Sequence, residues 1–586
     1  MSSAKRNQNK HLLRLSTVLA DDVLIPTDAS YSETMGAGFK LNISANSDTD
    51  HDLEAKDLVG TPVTLALVTE ENTYRYFNGL VEELNIRPST TQNNATDYQL
   101  LVVPWTQQLL AKRNNYRIFQ DLSIPDVINQ VLAEYGALAK FNIKTNATYK
   151  PWRYLTQYNE TDLAFLTRLM SLVGMTYYFD HENGEHTLKI VDDASTIEKL
   201  TPDTIELHPG TAAKDSFQSW TRNSTFTVGK LEHTSHNYQQ SATNLALQQE
   251  TGGDVSQFAN ATSISSFRYS EDYTTDDEGR ALLEVSAKQM QSGVHEWQGS
   301  GDVRHIQVGK NFSIALADGK AHPDDSLEFT CTHITLNASE SGSLHCNTAA
   351  IEAGNLRYPV GRQPTVNGLE TATVVGKSGE EIQTDESGRV KVQFHWDRSG
   401  ISDGKNTCFL RVMQGFASGG FGMQFTPRVG DEVVVAYENG NPHRPFIIGS
   451  VYNSRNPVPY GDHSGLRSGI RTRSSKNGAP DNCNELYFHD EKGKEEVYFQ
   501  SEKDYNQHVK NDSTAKIDNN KAVQVLKNET QKVGENLTTE VGKKILVDAG
   551  DQITIQVGSS VIKITDSKID ISSKKVVING NKVSIN

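Results

Sequence analysis

The chain has 586 residues, 57 Lys and Arg against 73 Asp and Glu, and a formal charge of −16. That length exceeds what one hydrophobic core organises, so three or four domains are predicted. The acidic balance excludes a general nucleic-acid binder, which needs surplus Lys and Arg against phosphate; it suits solubility, or a partner with a basic surface.

The N-terminus, MSSAKRNQNKHLLRLSTVLADD, is basic but lacks the apolar core of a secretory signal. No apolar run approaches eighteen residues, so no helix is predicted to span a membrane. FKLNISA (39–45), TPVTLALVTE (61–70) and TYRYFNGLVEELNI (73–86) alternate or run β-branched between polar turns and predict strands. SIPDVINQVLAEYG (123–136) predicts a helix capped by Ser123, with Pro125 in its first turn, Gly136 as its stop, and Val127, Ile128, Val131, Leu132 and Tyr135 on one face.

A second helix is predicted within YNETDLAFLTRLMSLVG (158–174), spanning about 159–174. Asn159 is its expected cap, Glu160 and Asp162 suit its positive start, and Leu163, Leu166, Leu169, Met170 and Val173 form its buried stripe. MTYYFDHENGEHTLKIVDD (175–193) predicts a hairpin through Asn183-Gly184. Residues 200–360 read as short strands and turns, with a boundary at RYPVGRQP (357–364). Five or so strands in 365–455 suit a small closed barrel. A turn-rich linker is predicted over 456–480, and no proline follows Pro480, as uninterrupted strand pairing requires.

The stretch QKVGENLTTEVGKKILVDAGDQITIQVGSSVI (531–562) repeats every eight residues. Gly534, Gly542, Gly550 and Gly558 each follow Val533, Val541, Ala549 or Val557, and Leu537, Ile545, Ile553 and Val561 stand three places later. Ile569 and Val577 continue the apolar places after the glycine place has drifted to Asp566, Lys574 and Lys582. A kink at each glycine would turn the chain and present these residues to one axis. One such edge is too thin to bury itself. Three chains around a shared axis would bury it, each residue contributing roughly 1.5–3 kcal/mol. A calcium-binding β-roll fits poorly, since its period is nine and the aspartates here do not recur.

No catalytic or metal constellation stands out. Asp48, Asp50 and Asp52 open like a calcium loop, but Leu53 and Val59 occupy the places of its glycine and distal Glu. His233 and His236 lack a further ligand pair, and His295-Glu296 is not followed by the second His of a zinc-protease helix. GFASGGFG (415–422) has the wrong serine spacing for a nucleophile elbow and predicts a tight turn between barrel strands. Glu380, Glu381, Asp385 and Glu386 sit around an expected turn rather than flanking a sugar cleft. Cys331, Cys346, Cys408 and Cys483 form no CxxC and predict reduced thiols made in the cytosol; whether Cys331 and Cys346 face each other across a hairpin stays open.

Three stretches carry a family resemblance. RYLTQYNETDLAFLTRLMSLVGMTYYFDHENGEHTLKIVDD (153–193) resembles the hub motif of the VgrG family, spike proteins of the bacterial type VI secretion system. VVGKSGEEIQTDESGRVKVQFHWDR (374–398), continuing through 408–453, and NELYFHDEKGKEEVYFQSEKD (484–504), leading into the Val-Gly tail, match the same family in its order. The resemblance implies a mainly β homotrimer. A hub of β-barrel subdomains with small helical inserts (1–360) resembles the tail hub of contractile phages; an OB-fold barrel (365–455) and a triple-stranded β-helix needle (481–586) follow.

It also implies assembly in the bacterial cytoplasm with a baseplate on an Hcp tube, a PAAR-repeat tip protein, effectors and their adaptors as cargo, and secretion through a pierced target membrane without a signal peptide. Lys582, Val583, Ser584, Ile585 and Asn586 are the expected tip-protein contacts. Because the barrel runs through 456–480 straight into the needle, the chain stops at Ile585-Asn586, and KVSIN lacks the His motif of some spike apices, no enzyme domain, no cofactor and no apex metal are expected. The alternatives are a spike of a phage tail or related contractile particle, and a hydrolase hidden in 200–360.

Overall fold

The structure, a computed structural model, describes residues 7–47, 53–69, 73–88, 96–211, 213–270, 272–320, 324, 326–399, 405, 407–461 and 464–584. Asp48, Asp50 and Asp52, and the chain-end residues Ile585 and Asn586, lie outside these. The chain divides into two compact units, residues 1–502 and 503–586.

The first unit is built on a twelve-stranded sheet that curls twice. Its first half runs Leu13–Ser16, Pro62–Val68, Tyr74–Pro88, Thr96–Val103, Gly38–Ser47, Ile25–Thr34. The second half runs Glu328–Ser339, Lys310–Leu316, Glu198–Leu207, Ser216–Ser224, His295–Asp302, Leu344–Glu352, and closes because Leu344–Glu352 also pairs with Glu328–Ser339. The two halves join where Ile25–Thr34 pairs with Glu328–Ser339, Tyr31 opposite Leu336. Alternating apolar residues such as Leu41, Ile43 and Ala45 fill the interior, as period-two strands dictate. Cys331 lies opposite Ala350 and Cys346 opposite Leu336, so they are not cross-strand partners; both are buried and free.

Among the described residues four α-helices are inserted: α1 (Ala55–Leu58), α2 (Ile124–Ala133), α3 (Asp162–Val173) and α4 (Asp276–Ser292). The Ser123 hydroxyl accepts from the Asp126 N–H while the Asp126 carboxylate accepts from the Ser123 N–H, a reciprocal cap. The expected face of α2 is buried through Val127, Ile128, Val131 and Leu132. Gly174 ends α3 at φ 75°, a conformation that favours glycine.

Three local expectations are corrected. Thr161, not Asn159, caps α3; Asn159 sits at φ 46° within the strand Leu155–Thr161. Glu160 belongs to that strand and is buried, not placed at the helix start. Residues 200–360 also contain α4, a 17-residue helix hidden from periodicity because its buried contacts are Gly279, Leu283 and Ala287. An added Cβ at Gly279 would lie 2.4 Å from Leu247, so only glycine lets this helix approach so closely.

The predicted hairpin is present as Thr176–Glu182 against Glu185–Val191, with Gly184 at φ 84° in its turn. A separate five-stranded sheet runs Phe409–Leu410, Val390–Phe394, Glu370–Val375, Glu432–Tyr437, Pro445–Val451. It closes into a barrel where the Ile447 N–H donates to the Arg411 carbonyl and the Met413 N–H to the Ile447 carbonyl. Val374, Val390, Val392, Phe394, Val433, Val435 and Ile447 form its core. Within 456–480 lies the strand Arg467–Arg471, which pairs with Glu485–His489 and through it with Glu496–Gln500.

Candidate functional site

In the second unit the chain bends at 510–511, 518–519, 526–527, 534–535, 542–543 and 550–551, every eight residues. The beat therefore begins three octads before its first glycine, with Asn511 and Asn519 at two of the early bends. Between 506 and 551 the described chain pairs with no other segment of itself. Val533, Leu537, Val541, Ile545 and Ala549 are all exposed, Leu537 at 64% and Ile545 at 57%. Gly534, Gly542 and Gly550 have no positive φ, and an added Cβ would meet nothing within 4 Å. Nothing inside one chain therefore requires glycine at these three bends.

Beyond 551 the octad places become reversals. Gln552–Val557 pairs antiparallel with Ser560–Thr565 around Gly558 (φ 56°), and Ser560–Thr565 pairs with Ile569–Ser572. The register opposes Ile553 to Ile564 and Ile564 to Ile569, Ile555 to Ile562 and Ile562 to Ile571. Six isoleucines thus share one face, since alternate residues of a strand point the same way. Ile553 and Ile569 are brought together there; Val561, opposite Gln556, falls on the other face. Val557 reaches 79% exposure at the turn, and Val577, Lys582, Val583 and Ser584 lie exposed beyond the last strand. The departure from continuous octads has a simple cause: these are the most apolar successive strands, and in one chain they can pair only with each other. Three strands with an apolar face are the least that can stand alone, and here that face stays open, with Ile555, Ile562, Ile569 and Ile571 exposed.

A second feature lies in the first unit, where the barrel is locked to the helical insert. Glu370, at the start of a barrel strand, accepts the Tyr158 hydroxyl at 2.5 Å, the Tyr437 hydroxyl at 2.6 Å and the Trp396 indole N–H at 3.1 Å. Burial, then the Glu370 carboxylate, pushes both phenols well above their ordinary value, so they remain donors. Arg168 of α3 forks onto buried Glu160 (2.7–3.0 Å) and donates to the Thr156 carbonyl. His443 of the barrel accepts the Thr156 N–H at 3.0 Å; burial and the nearby Arg168 charge hold it well below the usual histidine range, hence neutral. Arg398 donates to Asn115 at 2.6 Å across the same joint. Sequence reasoning missed this joint. Its one available signal was Arg168, a charge in the middle of the largely apolar DLAFLTRLMSLV helix.

Glu380, Glu381 and Asp385, weighed as catalytic, have structural partners. Glu380 pairs with Lys476 at 3.0 Å, and Glu381 accepts from the Ser475 hydroxyl and the Asn477 N–H. Asp385 holds Arg389 through both its side chain and its backbone N–H. His295 binds the Ser224 hydroxyl and lies 3.3 Å from Asp254. Among the described residues no group of three His, Cys, Asp or Glu side chains could hold a metal. GFASGGFG makes the expected tight turn between barrel strands, as a short exposed hairpin pairing Ala417–Ser418 with Phe421–Gly422 around Gly419-Gly420.

The phage tail baseplate hub family (GPD) matches residues 32–341, the type VI secretion system/phage-baseplate injector OB domain matches 373–452, and the bacteriophage T4 gp5 C-terminal trimerisation domain matches 468–582. The type VI secretion system spike protein VgrG1b of Pseudomonas aeruginosa is 30% identical over 525 residues, covering 86% of this chain and 69% of that protein. The chain belongs to the VgrG family of type VI secretion spike proteins. VgrG1a of the same organism is 30% identical and covers 87% of this chain and 80% of its own. The actin cross-linking toxin VgrG1 of Vibrio cholerae is 28% identical over 82% of this chain but only 44% of that protein. The VgrG fold recurs in the E. coli c3393 protein, a type VI component similar to the T4 tail proteins gp27 and gp5 (TM-score 0.55, 17% identity, 75% of this chain and 100% of that one). It recurs again in the half-lidded Francisella PdpA-VgrG complex (TM-score 0.53, 9% identity, 83% and 88%).

Proposed function

We propose that this chain acts as a homotrimeric puncturing and carrier spike, with a hub over 1–360, a barrel over 365–455, a joining segment over 456–480 and a needle over 481–586. One observation carries this reading: an octad-bent stretch, 506–551, whose backbone pairs with no other part of its own chain and whose aliphatic side chains face solvent. Buried main-chain N–H and C=O groups require partners, and exposed valine and isoleucine gain from burial. Two further copies supply both. Crowding by those copies also accounts for glycine at bends where one chain leaves it free.

The trimer stands on an Hcp tube and baseplate, carries effectors and adaptors, and presents 582–586 to a PAAR-repeat tip protein. It works mechanically and without its own catalysis. The pairing of Glu380, Glu381 and Asp385 with neighbouring cations and amides supports that reading. Among the described residues no helix is long and apolar enough to cross a membrane. The test is deletion of the gene followed by a secretion assay. Loss of Hcp and of this chain from the culture medium, restored by complementation, is expected; unchanged Hcp release would contradict the reading. Incubation of purified protein with cell-wall material is expected to give no turnover.

A further inference from the structure

The barrel hairpin presents an exposed apolar surface. Residues 412–427, VMQGFASGGFGMQFTP, contain no charged side chain. Met413, Phe416, Phe421, Met423 and Phe425 are all more than half exposed, Phe421 at 63%. The hairpin is nevertheless ordered within itself. Phe416 and Phe421 pack edge to face at 5.6 Å, the Met423 N–H donates to the Phe416 carbonyl, and the Gln414 side chain brackets the Phe425 backbone. Gly422 at φ 147° would bring a Cβ to 2.5 Å from the Phe416 oxygen, so the fold is specified by glycine there. A contiguous aromatic and methionine surface of this kind marks an interaction site.

Its position identifies the partner. Three residues after Phe425, Arg428 donates to the Arg473 carbonyl at 2.8 Å, and Glu381 beside it accepts from Ser475 and Asn477. The hairpin therefore rises from the place where the start of the segment matched by the trimerisation domain, 468–582, rests on the barrel. That segment's first sheet opens a similar face: Ile470, Phe488, Val497 and Phe499 share one side of it and are exposed.

We infer that the hairpin docks on a second copy of this chain, extending the apolar seam of the trimer from the needle root into the barrel. The inference rests on the trimeric reading above. The absence of charge suits a surface that meets its own copies, where like charges would repel. Glycines 415, 419, 420 and 422 allow backbones to approach closely.

The test uses the full chain carrying Ser418→Cys, native mass measurement, then mild oxidation and a non-reducing gel. A trimer is expected, with a disulfide-linked dimer at least tenfold above the unmodified chain, since three equivalent thiols form one bond. Phe421→Asp is expected to raise the concentration at which the trimer dissociates at least tenfold. A trimer in which the introduced thiol stays unlinked and maleimide-reactive, and which Phe421→Asp leaves equally tight, would overturn the hairpin proposal while sparing the trimer. A monomer by native mass would overturn the trimeric reading and this proposal with it.

Discussion

At the residue scale, the joint between α3 and the barrel depends on a buried ion pair. Such a pair contributes little net stability while intact, but removing one partner strands the other charge. Arg168→Met should therefore cost about 3–5 kcal/mol and lower the unfolding midpoint by roughly 3–5 °C, while Arg168→Met with Glu160→Gln should recover much of the loss. Calorimetry of the four proteins in a double-mutant cycle checks it. Equal losses in the single and double variants would place the strain elsewhere.

The buried histidines give a pH dependence with a definite sign. Burial holds His181 and His443 well below 6.5, and His186 at about 4. Their contribution is complete above pH 6.5 and is lost as pH falls toward those values, because the unfolded chain takes up protons that the folded chain refuses. Glu33, which burial raises to about 7, acts oppositely: its contribution is present below its ordinary 4.5 and lost as pH rises through 7. Three groups outweigh one, so the thermal midpoint should fall between pH 7 and pH 5. His443→Gln should shallow that slope; a steeper or unchanged slope would remove His443 from the account.

At the element scale, legibility followed the physics of each signal. Helices α2 and α3 were visible because their leucines and valines recur at helical spacing, and the Asn183-Gly184 hairpin because its turn needs glycine at positive φ. Helix α4 was not, since Gly279 and Ala287 do their packing by being small. Pairings such as Ile25–Thr34 with Glu328–Ser339 span some three hundred residues, and no local pattern encodes them. The octad was legible as a period, but its early bends carry no glycine and its last strands fold back in the single chain. Two outcomes are expected of the tail. Val541→Asp would place three carboxylates on a dry axis at a cost of at least several kcal/mol, visible as a weakened trimer by native mass. Removing 579–586 should leave a soluble trimer that no longer captures the tip protein; retained capture would move that contact elsewhere.

For the whole molecule, the joint and the tail describe complementary mechanical roles. The polar network on Glu370, Arg168 and His443 binds barrel to hub within one chain, so load on one reaches the other without a flexible link. The tail instead leaves its backbone over 506–551 unpaired within the chain, which makes assembly a condition of folding there. Amide hydrogen exchange over residues 506–551 in the purified full chain reports directly whether that backbone is paired between copies. Protection of at least about a thousandfold, as in cooperative β-structure, is predicted throughout that stretch; exchange at the rate of an unstructured peptide would contradict it.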